Sequence, residues 1–190
     1  MYESYTRQVL PSKEYRELLG TCLCVFNANN SFIIENVLAN SNDLSWYNLM
    51  DLESGKLQKQ FKKMEESFPE DIVNIFFDLV KRRNRIIHSF QITQDDSQIL
   101  ATKTKVKDDN LQFVISKEYL LEFIAINEKL SLLLYDFRHS HASLLINQGE
   151  DYLVVKERLG HASITTTIDT YSHLYPSKQK SIADKLDNLY

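Results

Sequence analysis

The chain has 190 residues, a formal net charge of −4 at pH 7, 43% hydrophobic residues and 11% aromatic residues. These values are typical of a globular protein that buries a core in one or two domains, and they exclude a disordered or low-complexity chain. No run of about 20 apolar residues is present, so we expect no membrane span, and no signal peptide is expected at the start.

The two cysteines, Cys22 and Cys24, lie two residues apart in an apolar run. This spacing on a helix does not suit a disulfide, and too few other ligands lie nearby for a metal site. We therefore expect buried free thiols, a reducing cytoplasmic location, no metal and no cofactor.

The low content of glycine and proline predicts a mainly α fold. Apolar periodicity predicts a helical stretch over about residues 12–38, interrupted by the polar residues 27–30, and a second stretch over about residues 43–66. Residues 67–70 read SFPE, a capping box with proline in the first turn, and the apolar spacing continues this helix over residues 67–89.

A β-hairpin is predicted near residues 98–116. Two segments rich in β-branched and apolar residues, 98–105 and 111–116, flank the turn-forming residues 107–110.

Another helix is predicted over residues 117–134. We place a domain boundary between residues 134 and 135, but no linker marks it, so we expect this helix to continue into the last part of the chain. There, Gly149 and Gly160 each follow a short helical run as helix stops do, and Ser163 is placed to cap the next helix. A final helix is predicted from Pro176.

Three short motifs mark the last third of the chain. Residues 135–142 read YDFRHSHA, residues 159–161 read LGH and residues 170–173 read TYSH. In this order and helical context, the segment closely resembles the C-terminal catalytic end of phage- and transposon-type tyrosine recombinases (integrases).

The resemblance implies a role for three residues and DNA as a partner. Arg138 would contact the non-bridging oxygens of the scissile phosphate, and His161 would assist. Tyr171 would attack the phosphorus and leave a 3′-phosphotyrosine. His139 and His141 are interpreted as packing or capping groups.

The segment departs from the family pattern in several ways. The family's first arginine lies in a Thr-Gly-x-Arg-x-x-Glu turn that is absent from this sequence, and Tyr135 replaces the histidine of the His-x-x-Arg box. A hairpin lysine is available at Lys103 or Lys105, but closer to Arg138 than the family requires. From Tyr135 onward six basic and seven acidic residues make the segment nearly neutral, which argues against strong independent DNA binding. We expect no independent recombination.

A different motif ends the helix at residues 67–89. Residues 83–88 read RNRIIH, which resembles the Arg-Asn-x-x-x-His motif of HEPN domains, small helical proteins that include many metal-independent RNases. The resemblance implies that His88 would act on the RNA 2′-hydroxyl, that Arg83 would hold the phosphate and that Asn84 would support His88.

The apolar stripe of this helix leads directly onto these polar positions. Because buried polar groups need partners, the pattern predicts a homodimer in which the helix at residues 67–89 pairs with its copy. An exposed basic helix end, stabilised by the helix dipole, is the alternative interpretation.

The sequence as a whole predicts a chimeric protein derived from a mobile element. A HEPN-like helical bundle with one β-hairpin would form residues 1–134, and a truncated, short, all-helical tyrosine recombinase segment would form residues 135–190. The predicted function is DNA integration or recombination by ancestry, without activity on its own. The alternatives are a HEPN-type RNase or toxin acting on RNA and a non-catalytic dimerisation module.

Overall fold

The computed structural model describes residues 3–39, 45, 48, 49, 68–104, 111–159 and 161–175. Helices dominate this part of the chain, as predicted, and none of them is long and apolar enough to cross a membrane. In chain order the elements are α1 (Lys13–Ala39), α2 (Glu70–Ile87), β1 (Phe90–Gln94), β2 (Ser97–Lys103), β3 (Gln112–Ile115), α3 (Lys117–Asn147), α4 (Tyr152–Leu159), α5 (Ile164–Tyr171) and a 3₁₀ turn (Ser172–Leu174).

Helix α1 is continuous, so the predicted interruption at residues 27–30 is wrong. Asn29 is buried against α3, where its side-chain amide donates to the backbone oxygen of Asn127 at 2.9 Å. Asn127 in turn donates to the backbone oxygen of Phe123 at 2.9 Å. A polar run that finds such partners can pack inside a protein without ending a helix. The second predicted helical stretch, residues 43–66, lies almost entirely outside the described residues.

Helix α2 begins later than predicted. Pro69 is its N-cap and makes no side-chain capping hydrogen bond, so the proline precedes the helix instead of lying in its first turn. Ser67, the predicted capping residue, lies outside the described residues. The predicted apolar face is confirmed, and its buried residues are Ile72, Val73, Phe76, Leu79, Val80 and Ile86.

The predicted hairpin is confirmed as β2 and β3, which pair antiparallel with Lys103 opposite Gln112. A further strand, β1, pairs antiparallel with β2 on its other side and was not predicted. Asp95 and Asp96 connect β1 to β2 with φ angles of 49° and 57°. These left-handed conformations at both central positions are those of a type I′ hairpin turn, for which aspartate is tolerated.

Helix α3 runs through the predicted domain boundary without a break, as expected. Ser116 caps its start by accepting from the backbone N–H of Tyr119. At its end Gly149 has a φ of +88°, and the N–H of Glu150 donates to the carbonyl of Leu145 at 3.1 Å. This is the Schellman arrangement that a glycine permits, so the predicted helix stop is confirmed there.

Two hydrophobic clusters lie along α3. The larger cluster joins α1, α2, the sheet and the first half of α3, and Phe26 stacks at its centre on Phe76 and on Phe123. The smaller cluster joins the end of α3 to α4 and α5, and its buried residues are Ala142, Ile146, Val155, Leu159 and Tyr171.

The two cysteines differ in burial. Cys22 is buried in the larger cluster, where burial raises the pKa of its thiol to about 11. Cys24 is exposed, contrary to the prediction, because α1 turns it away from the core. Both thiols are free.

Candidate active site

Arg138 lies on α3 at the junction of the two clusters. It is half-buried, and one guanidinium nitrogen, Nη2, donates to the backbone oxygen of Leu159 at the end of α4. Its Cζ atom stands 5.0 Å from the ring centroid of Phe32 on α1, a cation–π distance. Arg138 therefore contacts both the recombinase-like helices and the N-terminal helix.

His161 follows α4 and is held by its backbone and by its ring. Its N–H donates to the carbonyl of Lys156 at 3.1 Å, and its ring Nδ1 is 2.8 Å from Oγ1 of Thr167. Burial lowers the pKa of His161, and the positive charges of Arg138 and Lys156 lower it further. The imidazole is therefore neutral at neutral pH.

Tyr171 is the last residue of α5 and is only 2% exposed. Its ring stacks on His161 with centroids 6.4 Å apart and meets His139 edge-on at 5.2 Å. Burial raises the pKa of its hydroxyl, while the nearby charge of Arg138 lowers it in part. The hydroxyl is therefore protonated at neutral pH, and the side chain is shielded from bulk water.

These three side chains line one cavity of about 330 Å³. The sequence motif had predicted each of them, and the structure brings all three together. Arg138 is the only arginine among the described residues of the cavity wall, which consists of Ala28, Asn29, Phe32, Ser131, Leu134, Tyr135, Arg138, His139, His161, Thr170 and Tyr171.

Sequence reasoning did not place three contributors in this wall: His139, Tyr135 and helix α1. His139, interpreted as a packing or capping group, faces the cavity and contacts Tyr171. Tyr135, which replaces the box histidine, lies one helical turn before His139 and packs edge-on against it at 4.1 Å. Helix α1 supplies Asn29 and Phe32, and no local pattern in the sequence links that helix to the motif.

Of the two candidate hairpin lysines, only Lys103 lies in the described part of the chain. Lys103 is exposed at the end of β2, and it is absent from the described wall of the cavity. Lys105 lies outside the described residues.

The HEPN-like residues form only part of the predicted constellation. Arg83 donates from Nη1 to the side-chain oxygen of Asn84 at 3.2 Å, and its Cζ lies 5.8 Å from the ring centroid of Phe26. The buried Nε of Arg83 has no partner within the described part of the chain. His88 is exposed at the C-cap of α2, so the single chain does not bring its ring into a cleft with the other two.

The described residues contain no group of three or more His, Cys, Asp or Glu that could hold a metal ion.

One part of the chain, which includes the cavity residues of the motif, matches a known protein family. Residues 124–178 match the model of the phage integrase family. The match starts inside α3, before the predicted boundary at residue 135, and includes Arg138, His161 and Tyr171.

Several curated proteins are similar to the chain. The ICEBs1 integrase of Bacillus subtilis (strain 168) is 40% identical over 133 residues, which are 70% of this chain and 32% of that protein. Tyrosine recombinase XerC of Treponema denticola is 30% identical over 141 residues, covering 72% of this chain and 43% of that protein. Transposase A from transposon Tn554 of Staphylococcus aureus is 46% identical over 48 residues, covering 25% of this chain and 13% of that protein.

This chain therefore spans less than half the length of these relatives. No solved structure matches it significantly.

The extent of the match bears on the HEPN interpretation. Any stretch of 133 residues in a chain of 190 includes residues 58–133, so helix α2 with Arg83, Asn84 and His88 lies within the part that is similar to the Bacillus integrase. The HEPN assignment is not confirmed by these comparisons. With Arg138, His161 and Tyr171 gathered at one cavity, residues 124–178 are a tyrosine recombinase catalytic segment of the phage integrase type.

Proposed function

We propose that this chain carries the phosphate-binding and nucleophile half of a DNA strand-transfer site and does not recombine DNA on its own. The binding partner would be DNA, and the chain would act in the cytoplasm. The protein would derive from a mobile element.

The observation that carries this proposal is the convergence of Arg138, His161 and Tyr171 at one cavity. An arginine presents a planar set of donors to phosphate oxygens. A neutral histidine supplies one further N–H donor, and a tyrosine supplies the nucleophile. These are the groups that a transesterification at a DNA phosphate needs.

The proposed step conserves the number of phosphodiester bonds. The Tyr171 oxygen loses its proton and forms a bond to the phosphorus of the scissile phosphate. The bond from phosphorus to the 5′ oxygen of the next nucleotide breaks, and that oxygen leaves as a hydroxyl after gaining a proton. Arg138 and His161 would stabilise the charge on the non-bridging oxygens in the transition state.

Three features of the chain limit this step. The described wall of the cavity offers one arginine where the family uses two, Tyr135 takes the place of a histidine, and Tyr171 is buried. Loss of a preorganised donor from such a site costs about 3–4 kcal/mol of transition-state stabilisation. Binding of the phosphate should therefore survive better than catalysis.

Suicide DNA substrates test the proposal. The chain and its Tyr171→Phe variant are incubated with random-sequence duplexes that carry a 5′-bridging phosphorothiolate, and covalent adducts are separated on denaturing gels. We expect no adduct from either protein. An adduct that Tyr171→Phe abolishes would overturn the proposed inactivity and establish strand cleavage by the chain alone.

Phosphate binding is tested separately by titrating inorganic phosphate while the His161 ring resonances are followed by NMR. We expect a saturable shift that Arg138→Ala abolishes and that exposed Arg85→Ala leaves unchanged. A chain that shows no shift would contradict the phosphate-binding role.

A HEPN-type RNase is the second candidate, because the buried Nε of Arg83 lacks a partner in the described part of a single chain. A homodimer through α2 would supply one. Cleavage of RNA to 2′,3′-cyclic phosphate ends, insensitive to chelators and lost in His88→Ala, would support it. A dimer in light scattering without cleavage would favour the non-catalytic dimerisation module, and a monomer without cleavage would exclude both.

A further inference from the structure

We propose that Thr167 is a positioning residue that holds His161 in the tautomer with the proton on Nε2, so that this N–H is the donor offered to a phosphate in the cavity. The inference deepens the proposed function, on which its relevance to DNA rests. It concerns a residue outside the three motifs that predicted the site.

The geometry identifies Thr167 as the partner of the ring. Its Oγ1 is 2.8 Å from Nδ1 of His161, a full hydrogen-bond distance, and its side chain is completely buried. A buried hydroxyl proton needs an acceptor, and this contact is the side-chain hydrogen bond that the structure gives Thr167. In a neutral imidazole the unprotonated nitrogen is the available acceptor.

The direction of the hydrogen bond then fixes the tautomer. If the threonine hydroxyl donates to Nδ1, the single proton of the neutral ring must be on Nε2. The opposite arrangement, with Nδ1–H donating to Oγ1, would leave the hydroxyl proton to find another acceptor inside the protein. The surrounding charges favour the neutral ring, because Arg138 and Lys156 are both positive.

The position of the His161 ring leaves its Nε2 atom available to a ligand in the cavity. His161 lines the cavity while Nδ1 is held by α5, so Nε2 is the ring nitrogen left for a ligand. Thr167 also lies four residues before Tyr171, on the same side of α5, and both side chains are buried. One short helix therefore carries the candidate nucleophile and the group that orients its neighbouring donor.

The tautomer can be measured directly in the wild-type chain. Two-bond ¹H–¹⁵N NMR spectra at pH 8 distinguish the two ring nitrogens, and single His→Gln variants assign the five histidines. We expect His161 to have its proton on Nε2. A proton on Nδ1 would overturn the proposal without any need for a Thr167 variant.

Variants separate the hydroxyl from the bulk of the side chain. Thr167→Ser keeps the hydroxyl and should keep the tautomer, whereas Thr167→Val replaces the hydroxyl with a methyl group and should produce a mixture of the two tautomers. Thr166→Val makes the same chemical change at an exposed position of α5 and should have no effect. An unchanged His161 tautomer in a folded Thr167→Val chain would contradict the proposal.

The link to phosphate is tested on the same samples. Titration with inorganic phosphate should give about two- to tenfold weaker binding in Thr167→Val than in the wild type, as expected for one misdirected hydrogen bond. Equal affinities would refute the positioning role. If the wild type does not bind phosphate at all while His161 keeps the Nε2 proton, the proposed function fails and the assignment of the tautomer stands.

Discussion

The two hydrophobic clusters of this protein differ in size and in what they support. The larger cluster is built from three helices and a sheet around stacked aromatic rings, and of the recombinase motif it contacts Phe137. Within the described residues, the smaller cluster has five buried side chains, one of which is Tyr171. The comparison shows that the candidate catalytic residues lie at or beside the smaller cluster, and that Arg138 is connected to the larger one through its contact with Phe32 of α1.

The largest effect is expected in the larger cluster. Phe123→Ala should lower the free energy of unfolding by about 3–5 kcal/mol, because the ring is completely buried and stacked on Phe26. Urea denaturation followed by circular dichroism measures this change. Leu132→Ala on the same helix is the control, since Leu132 is 58% exposed. Similar losses in the two variants would contradict the assignment of the core.

Ile146→Ala tests the smaller cluster. We expect a loss of about 2–3 kcal/mol, because a core of few residues next to solvent collapses more easily around the missing atoms. Hydrogen exchange should show faster exchange in α4 and α5 with little change in α1 and α2. Equal acceleration in both regions would show that the two clusters unfold as one unit.

Phe32→Leu tests the connection between the regions. The change keeps an apolar side chain and removes the aromatic ring below Arg138, so we expect a loss of about 0.5–1 kcal/mol of stability. We also expect the Arg138 side-chain resonances to shift in NMR spectra. Phe77→Leu, another partly buried phenylalanine of the larger cluster, is the comparison. If it shifts the Arg138 resonances equally, the specific contact is refuted.

The smallest effect concerns pH. Burial lowers the pKa of His141 and of His161, with the charge of Arg158 adding to the effect at His141 and that of Arg138 at His161. At pH values between the lowered pKa of these histidines in the folded chain and their ordinary pKa near 6.5, the unfolded chain binds more protons than the folded chain. The free energy of unfolding should therefore decrease as the pH falls from 7 towards 5 and be regained above 6.5.

Urea denaturation at several pH values measures this slope, the change in the free energy of unfolding with pH. The double variant His141→Gln/His161→Gln should flatten it, whereas His173→Gln, at an exposed position, should not. A slope that the double variant leaves unchanged would assign the dependence to other groups.

The sequence carries local signals for the residues of the candidate site. Arg138, His161 and Tyr171 are each part of a short sequence motif. Gly149 ends a helix with its positive φ, and Ser163 starts one by accepting a hydrogen bond at its side-chain oxygen. Such signals need only neighbouring residues, so they can be read without a structure.

The contribution of α1 could not be predicted in this way. In the sequence, Phe32 is indistinguishable from an ordinary core residue, and Asn29 is part of a polar run that predicts a break in the helix. The hydrogen-bond partner of Asn29 is Asn127, which lies 98 residues further along the chain, and no local sequence pattern indicates this contact. Strand β1 was also missed, since its five residues begin only a short distance after a strong helix ends.

The continuity of α3 has a consequence for how this chain tolerates changes in length. Arg138 and the core residue Leu134 are on one uninterrupted helix, so their relative direction is set by the number of residues between them. Inserting a single residue there would rotate everything beyond it by about 100° and advance it by about 1.5 Å. Arg138 would then turn away from Phe32, although every residue of the motif would still be present. The number of residues between Leu134 and Arg138 is therefore as important to the cavity as the motif itself.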